Sequence, residues 1–358
     1  MVLAAGEGTR MRSTRPKPLH LLCGKAMLLY VLDALSDCDV KRAVVVVGHG
    51  AERVTKKLEE DGPGLLLDFV EQHVQRGTGD AVSVGLTAYP DDELDDDADV
   101  IVLPGDTPLL RPETIAQLVS AHRAADAACT LLTARVPDPT GYGRIVRSRD
   151  GRVHRVVEHG DATDDERAID EICTSIYCFR RGVLAPALRR LSPENAQGEY
   201  YLTDVVEVFH DAGYPVISVV ADDFRETQGV NDRWQLAMAE REFRNRTNRR
   251  HLLNGVTMLD PRQTFIDVTV RLGRDVTLYP GTILQGATVV GDGCEIGPDT
   301  RLVDCTVGDG AVVEHTTGRD SEVGADAHVG PYAFLPPGSS VVSGAATGAF
   351  YTAPVDGH

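Results

Sequence analysis

The sequence predicts an α/β protein in two parts: a Rossmann-like domain built on a mostly parallel sheet, followed by a left-handed parallel β-helix. Three observations carry that reading. Short apolar runs alternate with helical patterns up to about Val220, a polar helical stretch follows, and a strict six-residue apolar period then takes over. Strands alternating with helices imply a parallel sheet covered on both faces.

Val2-Leu3-Ala4-Ala5, Ala43-Val44-Val45-Val46-Val47 and Val100-Ile101-Val102-Leu103 read as buried strands, and Ala127 to Ala134 as a less apolar one. Helices are expected near 26–37, 51–60, 78–88 and 111–124, with Thr78 and Pro112 at the starts of the last two. The acidic stretch Asp91 to Asp99 reads as a solvated loop. Residues 230–250 read as one polar helix whose apolar positions, Val230, Trp234, Ala237 and Phe243, are too sparse for a core helix. The expected layout is therefore 1–229 for the first domain, 230–252 for a connecting helical arm and 253–358 for the β-helix.

The β-helix rests on Ile266, Leu272, Leu278, Leu284, Val290, Ile296 and Leu302, six residues apart, then Val307, Val313, Val323, Val329, Leu335 and Val341 after slips. Gly follows the apolar residue at 273, 291, 297, 308, 324 and 330. Neither a helix nor an ordinary strand has a period of six, whereas hexapeptide coils do. Such prisms commonly associate side by side, which points to a homotrimer.

Composition narrows the function. A net charge of −18 repels a nucleic-acid backbone but leaves small anionic substrates open, because a local Arg and Lys cluster can capture a phosphate. The seven Cys are scattered, with no CxxC pair, which suits reduced thiols in the cytoplasm. The opening MVLAAGEGTR lacks the pattern of a signal peptide, and no run of about 18 apolar residues suggests a membrane span.

The strongest chemical signal is Leu3-Ala4-Ala5-Gly6-Glu7-Gly8-Thr9-Arg10-Met11, directly after the first strand. Two glycines at that spacing allow a tight bend and a backbone concavity for phosphate oxygens. A dinucleotide-binding loop would have its third glycine at position 11, which is Met. Arg10 and Lys17 follow, the latter inside Arg15-Pro16-Lys17-Pro18-Leu19, where two prolines stiffen an extended segment and hold the ammonium in place.

These segments resemble the start of the nucleotide-sugar pyrophosphorylases, and most closely bacterial N-acetylglucosamine-1-phosphate uridyltransferase, the N-terminal half of a bifunctional enzyme. The resemblance continues through Gln72, Gly77-Thr78-Gly79, Pro104-Gly105-Asp106-Thr107-Pro108-Leu109 and Asp138 to Ile145. It then takes in Val157-Glu158-His159, Gly198 to Asp204 and Gly229-Val230-Asn231, and runs on into the hexapeptide region. It implies a nucleotidyltransferase that joins UTP to a sugar 1-phosphate and releases pyrophosphate. It further implies that Leu3, Ala4, Ala5, Gly6, Gly8, Thr9, Gln72, Gly77 and Thr78 bind the nucleotide, with Gln72 offering a donor and an acceptor to the base. Gly143, through its N–H, Glu158, Cys173, Tyr201 and Thr203 would face the sugar, although Tyr201 also reads as a core aromatic. Arg10 and Lys17 would stabilise the reacting phosphates, and Asp106 and Asn231 would hold Mg²⁺. The attacking phosphate oxygen is already ionised, so no general base is expected.

Two departures qualify that resemblance. The usual Glu-Ile/Val-Asn is here Glu171-Ile172-Cys173, followed by Thr174-Ser175 where a small residue and Gly are usual. Cys is a weak hydrogen-bonding group, so the acceptor could be another sugar or a cyclitol phosphate. Where relatives carry two Arg after Gly-Pro-aromatic-Ala, this chain has Phe334 and Pro336, and it stops at His358, short of the relatives' remaining coils. No acetyltransferase activity is expected. A non-catalytic regulatory subunit of the same layout is the alternative outside enzymes, and retention of Gly6, Gly8, Arg10, Lys17, Asp106 and Asn231 argues against it.

Overall fold

The computed structural model describes residues 1–38, 40–89 and 98–355. The chain divides into two compact units, Met1–His20 with Ala26–Leu236, and Leu21–Lys25 with Ala237–His358. Residues 91–97 of the expected acidic loop lie outside the described residues. Asp99 is no loop residue: it opens a strand and accepts from Arg123 at 2.7 Å.

The first unit is built on one nine-stranded sheet. Its strands are β1 (Val2–Ala4), β2 (Arg42–Val47), β3 (Leu66–Glu71), β4 (Asp99–Pro104), β5 (Cys129–Arg135), β6 (Arg144–Arg147), β7 (Val153–Val157), β8 (Glu171–Arg180) and β9 (Val216–Val220). The order is β9-β5-β8-β4-β1-β2-β3, with β6 joining β8 to β7 off this path. The apolar runs sit in the middle because both faces are covered: Val2, Val44, Val45, Val46, Val102 and Leu103 are all fully buried. The helices are α1 (Met27–Ser36), α2 (Ala51–Asp61), α3 (Thr78–Leu86) and α4 (Pro112–Ala124), with Pro112 in the first turn of α4, where a missing N–H costs nothing.

The sheet is less parallel than a simple alternation suggests. β8 runs antiparallel between β4 and β5, and β6 and β7 extend it as an antiparallel pair. The register of β8 on β5 shifts between Cys173 and Ile176, and Ser175 there has φ 62°. Such a bulge bends the strand and re-aims the side chains beside it, which turns Cys173 toward the site described below.

The last helix, α6 (Arg233–Leu253), starts later than the pattern suggested. Val230 precedes it, and Trp234 is 72% exposed. Its buried residues are instead Ala239, Phe243, Thr247, Asn248 and His251, four of them one every four residues and three of the five polar. Neighbouring Asn248 donates to the carbonyls of Pro261 (2.8 Å) and Thr264 (3.0 Å).

After the helix, the second unit is built from three five-stranded parallel sheets forming the sides of a prism, as expected for a left-handed β-helix. Leu278 pairs with Ile296, Leu284 with Leu302 and Val290 with Val307, so each coil stacks its apolar residue on the last. Of the thirteen periodic residues only Leu272 is not fully buried. The slip between Val313 and Val323 has a physical cause. Gly318 occupies the core position beneath Leu335, and a Cβ there would lie 3.0 Å from Leu302 and 3.3 Å from the Cys305 sulfur. Buried threonines complete the corners: Thr282 Oγ1 donates to the carbonyl of Tyr279 at 2.7 Å, and Thr288 Oγ1 to that of Gln285 at 2.7 Å.

Leu302 has no exposure, and its neighbours are held by ladder bonds on both sides. Leu302→Ala should therefore cost about 2–5 kcal/mol, since a prism cannot collapse onto the hole. Urea unfolding followed by far-ultraviolet circular dichroism checks this. A loss below 1 kcal/mol would show that the coils close up.

Candidate active site

The loop after β1 is shaped by Gly8, at φ 64°, where a Cβ would lie 2.7 Å from the Lys17 Cβ. Only glycine lets the lysine stem pass. Lys17 is not in an extended segment. Pro16 is extended (φ −52°, ψ 139°), and Lys17 opens a short 3₁₀ turn, Lys17–Leu19, whose second residue is Pro18. A proline is tolerated so early in a turn because no intraturn bond needs its nitrogen. The turn delivers the Lys17 ammonium to the carboxylate of Asp106 and, at 2.8 Å, to Asn231 Oδ1. Arg10 Nη2 reaches the same Asn231 oxygen at 3.2 Å.

Asp106 lies just past β4, where the Gly105 N–H donates to the Leu3 carbonyl at 2.8 Å. The Val230 N–H donates to the Asp106 carbonyl at 2.8 Å, which brings the Gly229-Val230-Asn231 loop beside it. Two oxygen donors from distant segments thus converge on one cationic atom. Mg²⁺ takes one or two such protein oxygens and fills the rest of its shell with phosphate and water. The donor set fits it.

A cavity of about 520 Å³ opens beside this cluster. On one side it is lined by Leu3, Ala4, Ala5, Gly6, Gln72, Gly77 and Thr78, together with Gln75, which the sequence reading missed. Gln75 Nε2 donates to the Ala5 carbonyl at 2.6 Å and supports the loop. Its signal was only a second Gln near Gln72. Gly6 has no atom within 4 Å of where a Cβ would be, so it leaves space rather than making a close internal approach. Gly8, Thr9 and Arg10 are not part of the lining; they form the turn behind it. Gln72 is buried, and its Nε2 donates to the Gly77 carbonyl (3.2 Å) and to Asp80 (2.7 Å). Its donor is therefore committed within the protein, and the carboxamide oxygen is the group left for a base. Gly77 sits at φ 111°, where any Cβ would meet the Tyr200 carbonyl at 2.6 Å. Thr78 Oγ1 accepts from the Leu202 N–H at 3.0 Å, stitching this side to the next.

The opposite side carries Glu158, Cys173, Tyr201 and Thr203, with Tyr142, Ser175 and Tyr177 besides. Thr203 Oγ1 donates to Glu158 Oε1 at 3.0 Å. Burial raises the Glu158 carboxyl above its ordinary range. Burial also pushes the Tyr201 phenol up to about 12 and the Cys173 thiol up to about 11. Cys173 Sγ lies 3.2 Å from the Tyr177 hydroxyl. Gly143 does not line the cavity; its carbonyl accepts from the Cys173 N–H at 2.9 Å and so positions that residue.

A lysine, a carboxylate and an amide oxygen clustered at the end of the central parallel strands of a mixed sheet, beside one cavity, suit a nucleotidyltransferase. The family of MobA-like NTP transferase domains matches residues 1–202. The chain is 44% identical over 341 residues to the bifunctional protein GlmU of Geobacillus sp. (strain WCH70), covering 95% of this chain and 72% of that one. Against the GlmU of Thermobifida fusca (strain YX) it is 48% identical over 324 residues, 90% of this chain and 66% of the relative. Against that of Mycolicibacterium gilvum (strain PYR-GCK) it is 47% identical over 352 residues, 98% and 70%. The chain belongs to the GlmU family and is a nucleotidyltransferase; it spans roughly two thirds to three quarters of these relatives' lengths.

The Lys17 ammonium pairs with the Asp106 carboxylate and occupies the Asn231 amide oxygen in the structure. Lys17→Met should therefore raise the affinity for Mn²⁺ in the absence of nucleotide, by at least about tenfold if one charge-assisted bond of 1.5–3 kcal/mol stops competing. Electron paramagnetic resonance of free Mn²⁺ measures it, and unchanged affinity would contradict the arrangement.

Burial, then Glu158, Glu207 and Asp161, raise the Asp204 carboxyl from 3.8 to about 6. The folded state therefore binds a proton more tightly than the unfolded chain between about pH 4 and 6, and this contribution to stability is lost as pH rises through that window. Asp204→Asn should leave the thermal midpoint unchanged near pH 4 and raise it at pH 8. A difference independent of pH would refute the assignment.

Proposed function

We propose that the chain transfers a uridylyl group from UTP to N-acetylglucosamine 1-phosphate, giving UDP-N-acetylglucosamine and pyrophosphate with Mg²⁺ as cofactor. The observation that carries this is the single cavity with Gln72, Gly77 and Thr78 on one side, Glu158 and Thr203 on the other, and the Lys17–Asp106–Asn231 cluster between. Two substrates held there meet phosphate to phosphate, and that positioning is most of the catalysis.

The acceptor's phosphate oxygen is the nucleophile and attacks the α-phosphorus as pyrophosphate leaves. Lys17 and Arg10 carry the positive charge that offsets the charge building on the phosphates. Mg²⁺ held by Asp106 and Asn231 would supply further neutralisation of the two phosphate groups. The Gln72 carboxamide oxygen is an acceptor suited to the N3–H of uracil, and a purine would need more room beside it. The Thr203 hydroxyl and Glu158 carboxylate form a polar pair for sugar hydroxyls.

Cys173 favours a second reading of the acceptor. Its thiol contacts Tyr177, so it offers little to a sugar amide, and a less decorated sugar or a cyclitol phosphate fits such a wall. For the β-helix we propose no acetyl transfer to glucosamine 1-phosphate, because the two positions occupied by Arg in relatives are Phe334 and Pro336. Exposed apolar side chains on the coils, Phe265, Val289 and Phe334 among them, support a homotrimer. Among the described residues no helix is long and apolar enough to cross a membrane. No disulfide joins any of the seven cysteines, which supports a cytoplasmic setting.

A pyrophosphate-release assay across nucleoside triphosphates and sugar phosphates tests the reading. UTP should be preferred, and a kcat/KM for ATP or GTP tenfold above that for UTP would overturn it. Cys173→Asn should raise kcat/KM for N-acetylglucosamine 1-phosphate by about 2–12-fold, the value of one hydrogen bond at 0.5–1.5 kcal/mol. No change in either preferred sugar or rate would remove Cys173 from the selectivity wall.

A further inference from the structure

β7 and the helix α5 (Val205–Asp211) lead directly into the Glu158–Thr203 pair. One row runs along β7 from His154 to Glu158, with His154 at a register irregularity between Val153 and Arg155. Helical spacing places Thr203, Glu207 and then His210 and Asp211 along one side of the turn and helix. At the cavity end the two rows meet through the 3.0 Å bond from Thr203 to Glu158.

At the far end they meet again, through different chemistry. The rings of His154 and His210 have centroids 4.6 Å apart and are tilted by 60°. His154 Nε2 lies 4.0 Å from Glu207 Oε1. One ligand atom from each of His154, His210 and Asp211 lies within 4.8 Å of the others. His154 and His210 are half-buried and Asp211 is exposed, so an ion can reach them.

We propose that His154, His210 and Asp211, with Glu207 alongside, bind a dication of the Zn²⁺ class at a site separate from the Mg²⁺ donors, and that this ion pins β7 to α5 behind the sugar-facing pair. Two imidazoles and a carboxylate are borderline ligands that favour Zn²⁺, Co²⁺, Ni²⁺ or Cu²⁺ over Mg²⁺. Ligand bonds of about 2.0–2.2 Å put tetrahedral donors roughly 3.3–3.5 Å apart, so the three side chains close by about an ångström or so through rotamer changes. Glu207, 4.0 Å from His154, puts a second carboxylate beside the three groups, which a dication would offset.

Among the described residues the other cluster of metal-ligating groups, Asp99, His122 and Cys178, is a poorer candidate. Arg123 already holds Asp99 at 2.7 Å, and His122 Nδ1 is bonded to the Thr130 hydroxyl at 2.8 Å. Burial pushes the Cys178 thiol up to about 12.

The effect on catalysis rests on the reading of Glu158 and Thr203 as sugar-facing; the binding site does not. Metal-stripped protein is titrated with Zn²⁺ against a chromophoric chelator in excess Mg²⁺. One equivalent should bind. His154→Ala and His210→Ala should each weaken it by at least about tenfold, since even outer-shell changes cost 10–100-fold, and Asp106→Ala should leave it unchanged. Circular dichroism establishes that the variants fold, and a Zn²⁺-induced rise in thermal midpoint should appear in the wild type and vanish in both His variants. No stoichiometric uptake, or equal uptake by the double His variant, overturns the site. The second readout is the KM for the sugar phosphate, which Zn²⁺ should shift by about fivefold or more in the wild type and not in His154→Ala. Stoichiometric binding with an unmoved KM overturns the coupling alone.

Discussion

The contact on which the first unit's chemistry depends is that of the Lys17 ammonium with the Asp106 carboxylate and the Asn231 amide oxygen. The three residues belong to segments far apart in the chain, and each is brought in by a separate backbone device. Gly8 gives the lysine stem its passage, the Gly105 bond to Leu3 fixes the turn that carries Asp106, and the Val230 bond to Asp106 draws in Asn231. A half-buried carboxylate without a cation would be costly. The cluster therefore also stabilises the junction of β1, β4 and the final loop, and the same charges that hold the loops together are those available to phosphates.

Much of this was legible in the sequence where one residue type answers one physical demand. The six-residue period is visible because each prism side buries one side chain; it slips by one residue between Leu302 and Val307, and it loses its apolar mark where Gly318 fills a core position with no side chain at all. Glycines around Lys17 and the Gly-Asp after an apolar strand were legible for the same reason. The turn at Lys17 was not, because two flanking prolines suit an extended segment and a 3₁₀ turn alike.

What the sequence concealed depends on long-range pairing. The antiparallel course of β8 follows from which strands it meets, not from its composition, and the bulge at Cys173–Ile176 follows from that pairing. Of the inner side of α6 only Phe243 was legible, because three of its five buried residues are the polar Thr247, Asn248 and His251. Gln72 looked like a two-way contact for a base until Asp80 and the Gly77 carbonyl were seen to take its donor. His154 and His210 form no motif, and only the packing of α5 on β7 brings their rings together.

The cavity accommodates two anionic partners in an acidic protein because its charge is local. On the proposed reading phosphates would meet Lys17, with Arg10 behind it, while the wall proposed for the sugar carries Glu158, whose carboxyl burial raises. If Lys17 and Asp106 act as one electrostatic unit, their losses do not add. The most direct test is a double-mutant cycle on kcat/KM for pyrophosphate release with Lys17→Ala, Asp106→Ala and the pair combined. The account predicts a double variant no more than about threefold slower than the slower single variant. Losses that multiply would show two independent contributions and contradict it.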